Sequence, residues 1–407
     1  MSGEPFRFLH AADFHLERPM EGLTEVPEHL RDVLVDAPFQ AVDQVFDTAL
    51  VEEVDFVVLS GDLLDARAAG PRAMAFLVSQ FQRLAERKIP VFWAGGEVDL
   101  PDRWPAAARL PGNVKVFPPR KVEDAPVTRG EATIAVVRGA SCDERSSPTL
   151  GEFRAGNKEA FSLAVAHGKY EAGAFAKQKM DYWALGGQHE YQSLNASSPT
   201  VLYPGTPQGR SPEEDGAHGC VLVHVDERGQ TRTKSVPTDV VRWRRERVQM
   251  RENARREDLE KLLRERIQSF ANEAAGRHVL VAWEISASGR LEAELRRGAT
   301  KQEIIKMLRA DFGHRSPAAW TVSLEVESPT VLPDAWFEED TILGDFLREV
   351  RKVEKESRRL EIEARLQREN LSDLLTSLLT LPDAASAKQS LREAALLGAD
   401  LLRGEEL

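Results

Sequence analysis

Residues 6–15 read Phe6-Arg7-Phe8-Leu9-His10-Ala11-Ala12-Asp13-Phe14-His15, an apolar run that ends on two metal-ligand side chains one residue apart. The run 6–10 predicts a strand, and the same pattern recurs four more times along the chain. Residues 54–60 (VDFVVLS) lead into Gly61-Asp62, and 91–94 (VFWA) into Gly95-Gly96-Glu97-Val98-Asp99. Residues 163–166 (LAVA) lead into His167-Gly168, and 182–185 (YWAL) into Gly186-Gly187-Gln188-His189. Further strand-like runs lie at 133–139, 200–203 and 220–225. Near-continuous apolar runs of this length suit strands buried on both faces. Between them, 38–52 and 71–87 carry apolar residues at helical spacing, as in Met74, Leu77, Phe81 and Leu84. Strand alternating with helix predicts a layered α/β domain.

In an open α/β sheet, ligands gather outside the carboxyl ends of the strands. Five strand ends would therefore bring Asp13, His15, Asp62, Glu97, His167 and His189 to one place. Mixed imidazole and carboxylate ligands suit Mn, Fe or Zn rather than a thiolate-preferring metal. A carboxylate between two cations can bridge them, as in two-metal phosphoryl-transfer sites. Any one of these residues alone reads as an ordinary polar loop position; the repetition after buried-type strands carries the inference. The other histidines, His10, His29, His218, His224, His278 and His314, follow no such pattern and read as packed or surface residues.

The whole chain has 407 residues, with 54 Lys+Arg against 66 Asp+Glu and a formal charge of −12. That length is enough for two or three domains. Hydrophobic residues at 42% and charged residues at 29% describe a globular chain rather than a disordered one. No run approaches the roughly 18 apolar residues that would span a bilayer, so no membrane partner is expected. The first residues lack the basic start and apolar stretch of a secretory signal. Cys142 and Cys220 have no CxxC spacing, which excludes a disulfide framework and a thiolate zinc site. The expected compartment is the reducing cytoplasm. The acidic balance excludes a protein that coats nucleic acid by bulk charge, though not an enzyme that meets phosphates through metals or a local basic groove.

A break falls near Thr238-Asp239. Beyond it, strands are predicted at 242–250, 278–285 and 319–326, with helices at 256–272 and 301–309, a small α/β module. The residues from 341 onward are dominated by helix formers, with Leu343, Phe346, Leu347 and Val350 on one helical face. Arg242, Arg244 and Arg245 open an arginine-rich strip that could track a DNA backbone. Interspersed Glu246, Glu252, Glu257 and Asp258 equally suit a solvated, self-paired face. Trp243 within it could stack on a base.

The series D-x-H, G-D, G-E-V-D, H-G, G-G-x-H resembles the D-x-H, G-D, G-N-H-D, H-G, G-H-x-H order of the calcineurin-like metallophosphoesterases. The flanking stretches FLHAADFHL, FVVLSGDLLD and LPGNVKVF are similar to SbcD-type DNA-repair exonucleases. Tyr203-Pro204-Gly205-Thr206-Pro207-Gln208, the joint Val241-Arg242-Trp243 and the leucine-rich tail are similar to the bacterial YhaO family. The resemblance implies an α/β, four-layer metallophosphoesterase sandwich over residues 1–240, with two packed sheets flanked by helices. It implies a capping α/β module over 241–335 and a helical, partner-binding region over 336–407. It also implies that Trp243 packs at the domain joint.

By the same resemblance, Asp13, His15, Asp62 and His189 hold one metal, manganese or another divalent ion. Asp62, Glu97 and His167 hold a second more weakly. Gly187 stands where the family has a fourth ligand for that second metal, and Val98 where it has a catalytic histidine. A positioned acid or base contributes about 10²- to 10⁴-fold, so these departures imply weakened hydrolysis. The implied partners are DNA, an SMC-like ATPase gripped by the tail helices, and a second copy of the chain in a homodimer. Three functions stay open: a weakened DNA phosphodiesterase, a non-catalytic subunit that binds DNA or regulates the ATPase, and a phosphoesterase for small substrates using Glu97 or Asp99 in place of the histidine.

Overall fold

The computed structural model describes residues 4–154, 160–175, 177–296, 298–327 and 334–355, together with 391, 394–396, 398–399 and 402. In chain order the first 240 residues form β1 (Phe6–Ala11), α1 (Glu28–Val51), β2 (Phe56–Leu59), α2 (Pro71–Glu86), β3 (Val91–Trp93), β4 (Val114–Val116), β5 (Glu123–Arg129) and β6 (Ala132–Gly139). They continue with β7 (Phe161–His167), β8 (Tyr182–Gly186), β9 (Gln192–Asn195), β10 (Thr200–Tyr203), β11 (Gly219–Val225) and β12 (Thr231–Pro237). One mixed sheet runs β12-β11-β1-β2-β3-β4 and another β5-β6-β7-β8-β10-β9. Parallel pairing of β1, β2, β3 and β4, and of β6, β7, β8 and β10, points the ends of these strands the same way within each sheet.

The two sheets bury a shared core. Phe8 stacks on Phe56 at 4.9 Å, Tyr182 meets Phe8 edge-on at 5.1 Å, and Val58, Phe92, Val137, Leu163, Val165 and Val221 fill the space around them. Each such side chain contributes about 1.5–3 kcal/mol when fully buried. The outer face of the first sheet is covered by α1 and α2 through Val45, Phe46, Leu77, Phe81 and Leu84. The outer face of the second sheet, with Ala164, Trp183, Leu185 and Tyr203, is covered by Phe153, Phe175 and Met180 from short 3-10 turns and loops. The fold is therefore the expected layered α/β sandwich, with a thin fourth layer.

The proline in α1 is interior rather than first. The helix begins ten residues earlier, at Glu28, and Pro38 is buried within it. A proline forfeits one i→i−4 bond and normally costs about 3 kcal/mol. Here Leu30, Leu34 and Ala37 on the preceding turns are buried with Val241, Trp243, Leu280 and Trp320, and that burial supports the extra helix. Trp243 is thus a packed residue.

The remaining elements are β13 (Val241–Gln249), α3 (Arg256–Glu273), β14 (His278–Ser286), α4 (Gly289–Arg296), α5 (Ala299–Phe312), β15 (Ala319–Val326), α6 (Asp334–Glu338) and α7 (Ile342–Lys355). Strands β13, β14 and β15 form a three-stranded sheet. The chain clusters into two compact units: one of Met1–Glu246, Leu263–Ala282 and Ile305–Ser323, and one of Arg247–Leu262, Trp283–Ile304 and Leu324–Leu407. Within the second, Leu343 and Leu347 of α7 are buried with Ala395 and Ala399. The leucine-rich stretch 371–381 lies outside the described residues. Among the described residues, no helix is long and apolar enough to cross a membrane.

Candidate metal centre

Strand ends deliver the ligands, and unusual backbone turns aim them. Asp13, His15 and Asp62 all sit at positive φ, 56°, 42° and 55°. That region costs an L-residue about 1–3 kcal/mol and clusters at functional sites. Cross-strand bonds hold the turns: Asp13 N–H donates to Gly61 O at 2.9 Å and His15 N–H to Asp62 O at 3.0 Å. Glycines make room. A Cβ on Gly96 would meet Asp62 Oδ1 at 2.3 Å, and one on Gly186 would meet Ser60 O at 1.9 Å.

The result is two overlapping clusters, Asp13–His15–His189 and Asp13–Asp62–His167, whose ligand atoms lie within 4.8 Å of one another. Asp62 Oδ2 stands 3.6 Å from His15 Nε2 and 3.4 Å from His167 Nε2, between the clusters. Five of the six predicted ligands are therefore brought together. Glu97 is not: its side chain is exposed, and among the described residues it joins neither cluster.

The polar geometry fits a cation. His15 Nε2 is buried and, among the described residues, has no hydrogen-bond partner, though it belongs to the cluster. A buried polar atom left unpaired costs about 1–3 kcal/mol, and an imidazole nitrogen in that state is a ready ligand. Burial pushes Asp13 up to about 6, against the pull of His167. Burial also opposes charge on Asp62 and His167, but each offsets that for the other. Asp62 is held below the ordinary carboxylate range and His167 above the ordinary imidazole one. Imidazole and carboxylate donors of this kind suit a divalent metal.

Several participants carry no motif signal. Glu17 Oε1 lies 3.2 Å from His15 Nδ1, and Glu214 Oε1 lies 2.5 Å from His189 Nδ1. Burial would raise Glu214, but its hydrogen bond to His189 holds it down at about 2. The buried Arg210 donates to Thr206 Oγ1 at 3.0 Å and Gln208 O at 3.1 Å, and also to the carbonyls of Phe14 and His15. It fastens the first ligand loop from 195 residues away in sequence, a distance that no local pattern reveals.

Asp99 has a different job from the one open to it by sequence. Its carboxylate accepts four hydrogen bonds, from the N–H groups of Asp62, Leu63 and Gly96 and from the Trp93 indole. It builds the loop, its acceptor positions filled by protein donors. Val98 contributes its backbone, donating to Asp62 Oδ1 at 3.0 Å.

Arginines of the strip pair with acids outside it rather than with the interspersed Glu246, Glu252, Glu257 and Asp258. Arg242 is buried and binds Asp239 through two bonds, 2.8 and 2.9 Å, so it presents nothing to a phosphate. Arg244 reaches Glu273 at 3.1 Å and lies over the Phe270 ring. The Arg245 backbone N–H donates to Asp215 Oδ1, and Arg266 meets Glu246 at 3.5 Å. A cleft of about 800 Å³ at the start of β1, lined by Arg7, Asp55, Arg129, His224 and Arg232, contains none of the ligands. Its Arg129 and Arg7 are committed to Asp55 and Glu52.

Comparison with known proteins gives the same direction. Residues 6–191 match the family model for calcineurin-like phosphoesterases. The metallophosphoesterase YhaO of Bacillus subtilis (strain 168) is 34% identical over 233 residues, 54% of this chain and 57% of that protein. The DNA double-strand break repair protein Mre11 of Saccharolobus solfataricus is 29% identical over 97 residues, 24% of this chain and 23% of its own. A component of the SbcCD nuclease of Bacillus subtilis (strain 168) is 31% identical over 105 residues, 26% of this chain and 25% of its own. The chain thus spans a little over half the length of the first relative and about a quarter of the other two.

Proposed function

We propose, from the match of residues 6–191 to the calcineurin-like phosphoesterase family model, that this chain hydrolyses phosphodiesters with a bound divalent cation, manganese being the first to test. The convergence of Asp13, His15, Asp62, His167 and His189 around the unpartnered His15 Nε2 carries the reading. A divalent cation at such a centre supplies Lewis acidity and positive charge for a phosphoryl group. The chain's own residues set how much of that is used. Asp13 supplies a carboxylate oxygen to both clusters and Asp62 to the second, beside the three imidazoles. Val98 can neither give nor take a proton where the family has histidine, and Gly187 offers no ligand. A slow enzyme follows from those two positions.

DNA as substrate, a repair role and an SMC-like ATPase partner are part of this proposal, supported by the similarity to the Mre11 and SbcCD relatives. Arg244 would serve DNA only after giving up its pair with Glu273. Glu97 would join the second cluster by turning inward from its exposed position. The rival reading, a subunit that keeps the fold and one metal but no catalysis, is favoured by the same Val98 and Gly187.

Metal content and hydrolysis measured on one preparation separate the two. Purified protein with Mn(II) should cleave single- or double-stranded DNA, or bis(p-nitrophenyl) phosphate, and Asp62→Ala should abolish it. Bound metal with no hydrolysis of any phosphoester would establish the rival. Cleavage confined to the small ester would narrow the substrate class.

A further inference from the structure

Two of the clustered imidazoles are backed by half-buried carboxylates, and the third is not. His15 turns Nδ1 to Glu17 at 3.2 Å and His189 turns Nδ1 to Glu214 at 2.5 Å. His167 turns Nδ1 to the neutral carbonyl of Ser60 at 2.8 Å. The carboxylates are themselves held. Glu17 Oε2 accepts from Asp65 N–H at 3.0 Å, and Glu214 Oε2 from Arg210 N–H at 2.6 Å. Their side chains are only 7% and 15% exposed, so solvent screens them little.

We propose that Glu17 and Glu214 are positioning residues that fix His15 and His189 with the proton on Nδ1 and, through their charge, make Asp13–His15–His189 the high-affinity cation site. The inference deepens the metal-centre reading and rests on it. An imidazole that donates Nδ1–H to an acceptor keeps the Nε2 lone pair free, and a carboxylate acceptor makes that nitrogen more basic than a carbonyl does. Each glutamate also places a negative charge one ring away from the cation, whereas behind His167 there is only a carbonyl dipole. The chain should therefore load one divalent ion well before a second. The carboxylates behind the ligands, not the ligand count alone, would make the centre unequal.

The test is calorimetric titration of the full chain with Mn(II). The wild type should show a tight event and a weaker one, and Glu17→Gln and Glu214→Gln should each weaken the tight event about 10- to 100-fold. The weak event should not move, which a general loss of structure could not reproduce. Glu214→Asp should restore part of the affinity. Unchanged tight binding in both glutamine variants would overturn the proposal while leaving the metal centre intact. Absence of any Mn(II) binding by the wild type would instead remove the metal-centre reading, and this inference with it. Ring-nitrogen NMR of the wild type without added metal needs no variant. Nδ1–H signals at His15 and His189 support the proposal, and Nε2–H signals there overturn it.

Discussion

The half of the centre around His15 and His189 and the half around His167 are built from the same kind of strand end, yet they differ in what stands behind them. The first has two imidazoles, each with a half-buried carboxylate at its back, and Arg210 tying down the loop that carries His15. The second has one imidazole on a carbonyl, a glycine at 187, a valine at 98 and an outward Glu97. Asp13 belongs to both, and Asp62 stands between them, 3.6 Å from His15 Nε2 and 3.4 Å from His167 Nε2. The first half can thus hold a cation whatever side chain stands at 98, because Val98 lies on a different loop from His15 and His189.

The shared aspartate offers the largest way to break the contrast. Asp13→Asn keeps an oxygen for the Gly187 N–H, which lies 3.0 Å from both carboxylate oxygens, but removes a charged ligand from both clusters. Mn(II) affinity should fall more than about 10²-fold for every bound ion, beyond the range of a supporting residue. His189→Ala should remove the tight event alone. Equal losses in both variants, read by calorimetry, would mean that the halves are one site.

Restoring a proton donor sharpens the contrast from the other side. Val98 is anchored by its N–H to Asp62 Oδ1, so Val98→His would place an imidazole beside the ligands without moving the backbone. Hydrolysis of bis(p-nitrophenyl) phosphate should rise about 10²-fold, the low end of general acid–base catalysis. Gly187→His is not a parallel repair. Gly187 has φ 101°, and a Cβ there would lie 3.2 Å from His167 Nε2, so the substitution strains the backbone and crowds a ligand. No gain from Val98→His would show that the second half has drifted beyond that one side chain.

Beneath both halves lies a floor that should respond to pH in its own way. His10 is buried, hydrogen bonded to Ser60 Oγ at 2.7 Å and Tyr182 OH at 3.1 Å, and burial lowers its pKa from 6.5 to about 3. The folded chain keeps His10 neutral where the unfolded chain protonates it. Its share of stability is complete above pH about 6.5 and drains as pH falls toward 3, by up to about 1.4 kcal/mol per pH unit. Urea melts from pH 7 to 4 should show that slope, and His10→Gln should flatten it. An unchanged slope would place the acid sensitivity elsewhere.

What was legible in the sequence, and what was not, follows from burial. The apolar runs mark β1, β2, β3, β6, β7, β8, β10 and β11, the inner strands. They do not mark β4, β5, β9 and β12, the four edges of the two six-stranded sheets. An edge strand faces solvent, and β12 carries residues such as Thr231-Arg232-Thr233-Lys234 that read as loop. The ligands were legible because each ends a buried strand. Glu17, Arg210 and Glu214 were not, since their role arises only when loops far apart in sequence meet. Glu97 was placed with the ligands because it sits on the right loop, and the loop turns its side chain outward.

The smallest effect is expected at that residue. An exposed carboxylate is screened by water and salt and is worth under about 1 kcal/mol to a nearby charge. Glu97→Gln should therefore shift Mn(II) affinity by less than about threefold, in the weak event only, and leave hydrolysis almost unchanged. A tenfold or larger loss would mean that Glu97 swings inward when a second cation arrives. The poorer half would then regain a charged ligand on loading, and the asymmetry between the halves would belong to the metal-free chain rather than to the working centre.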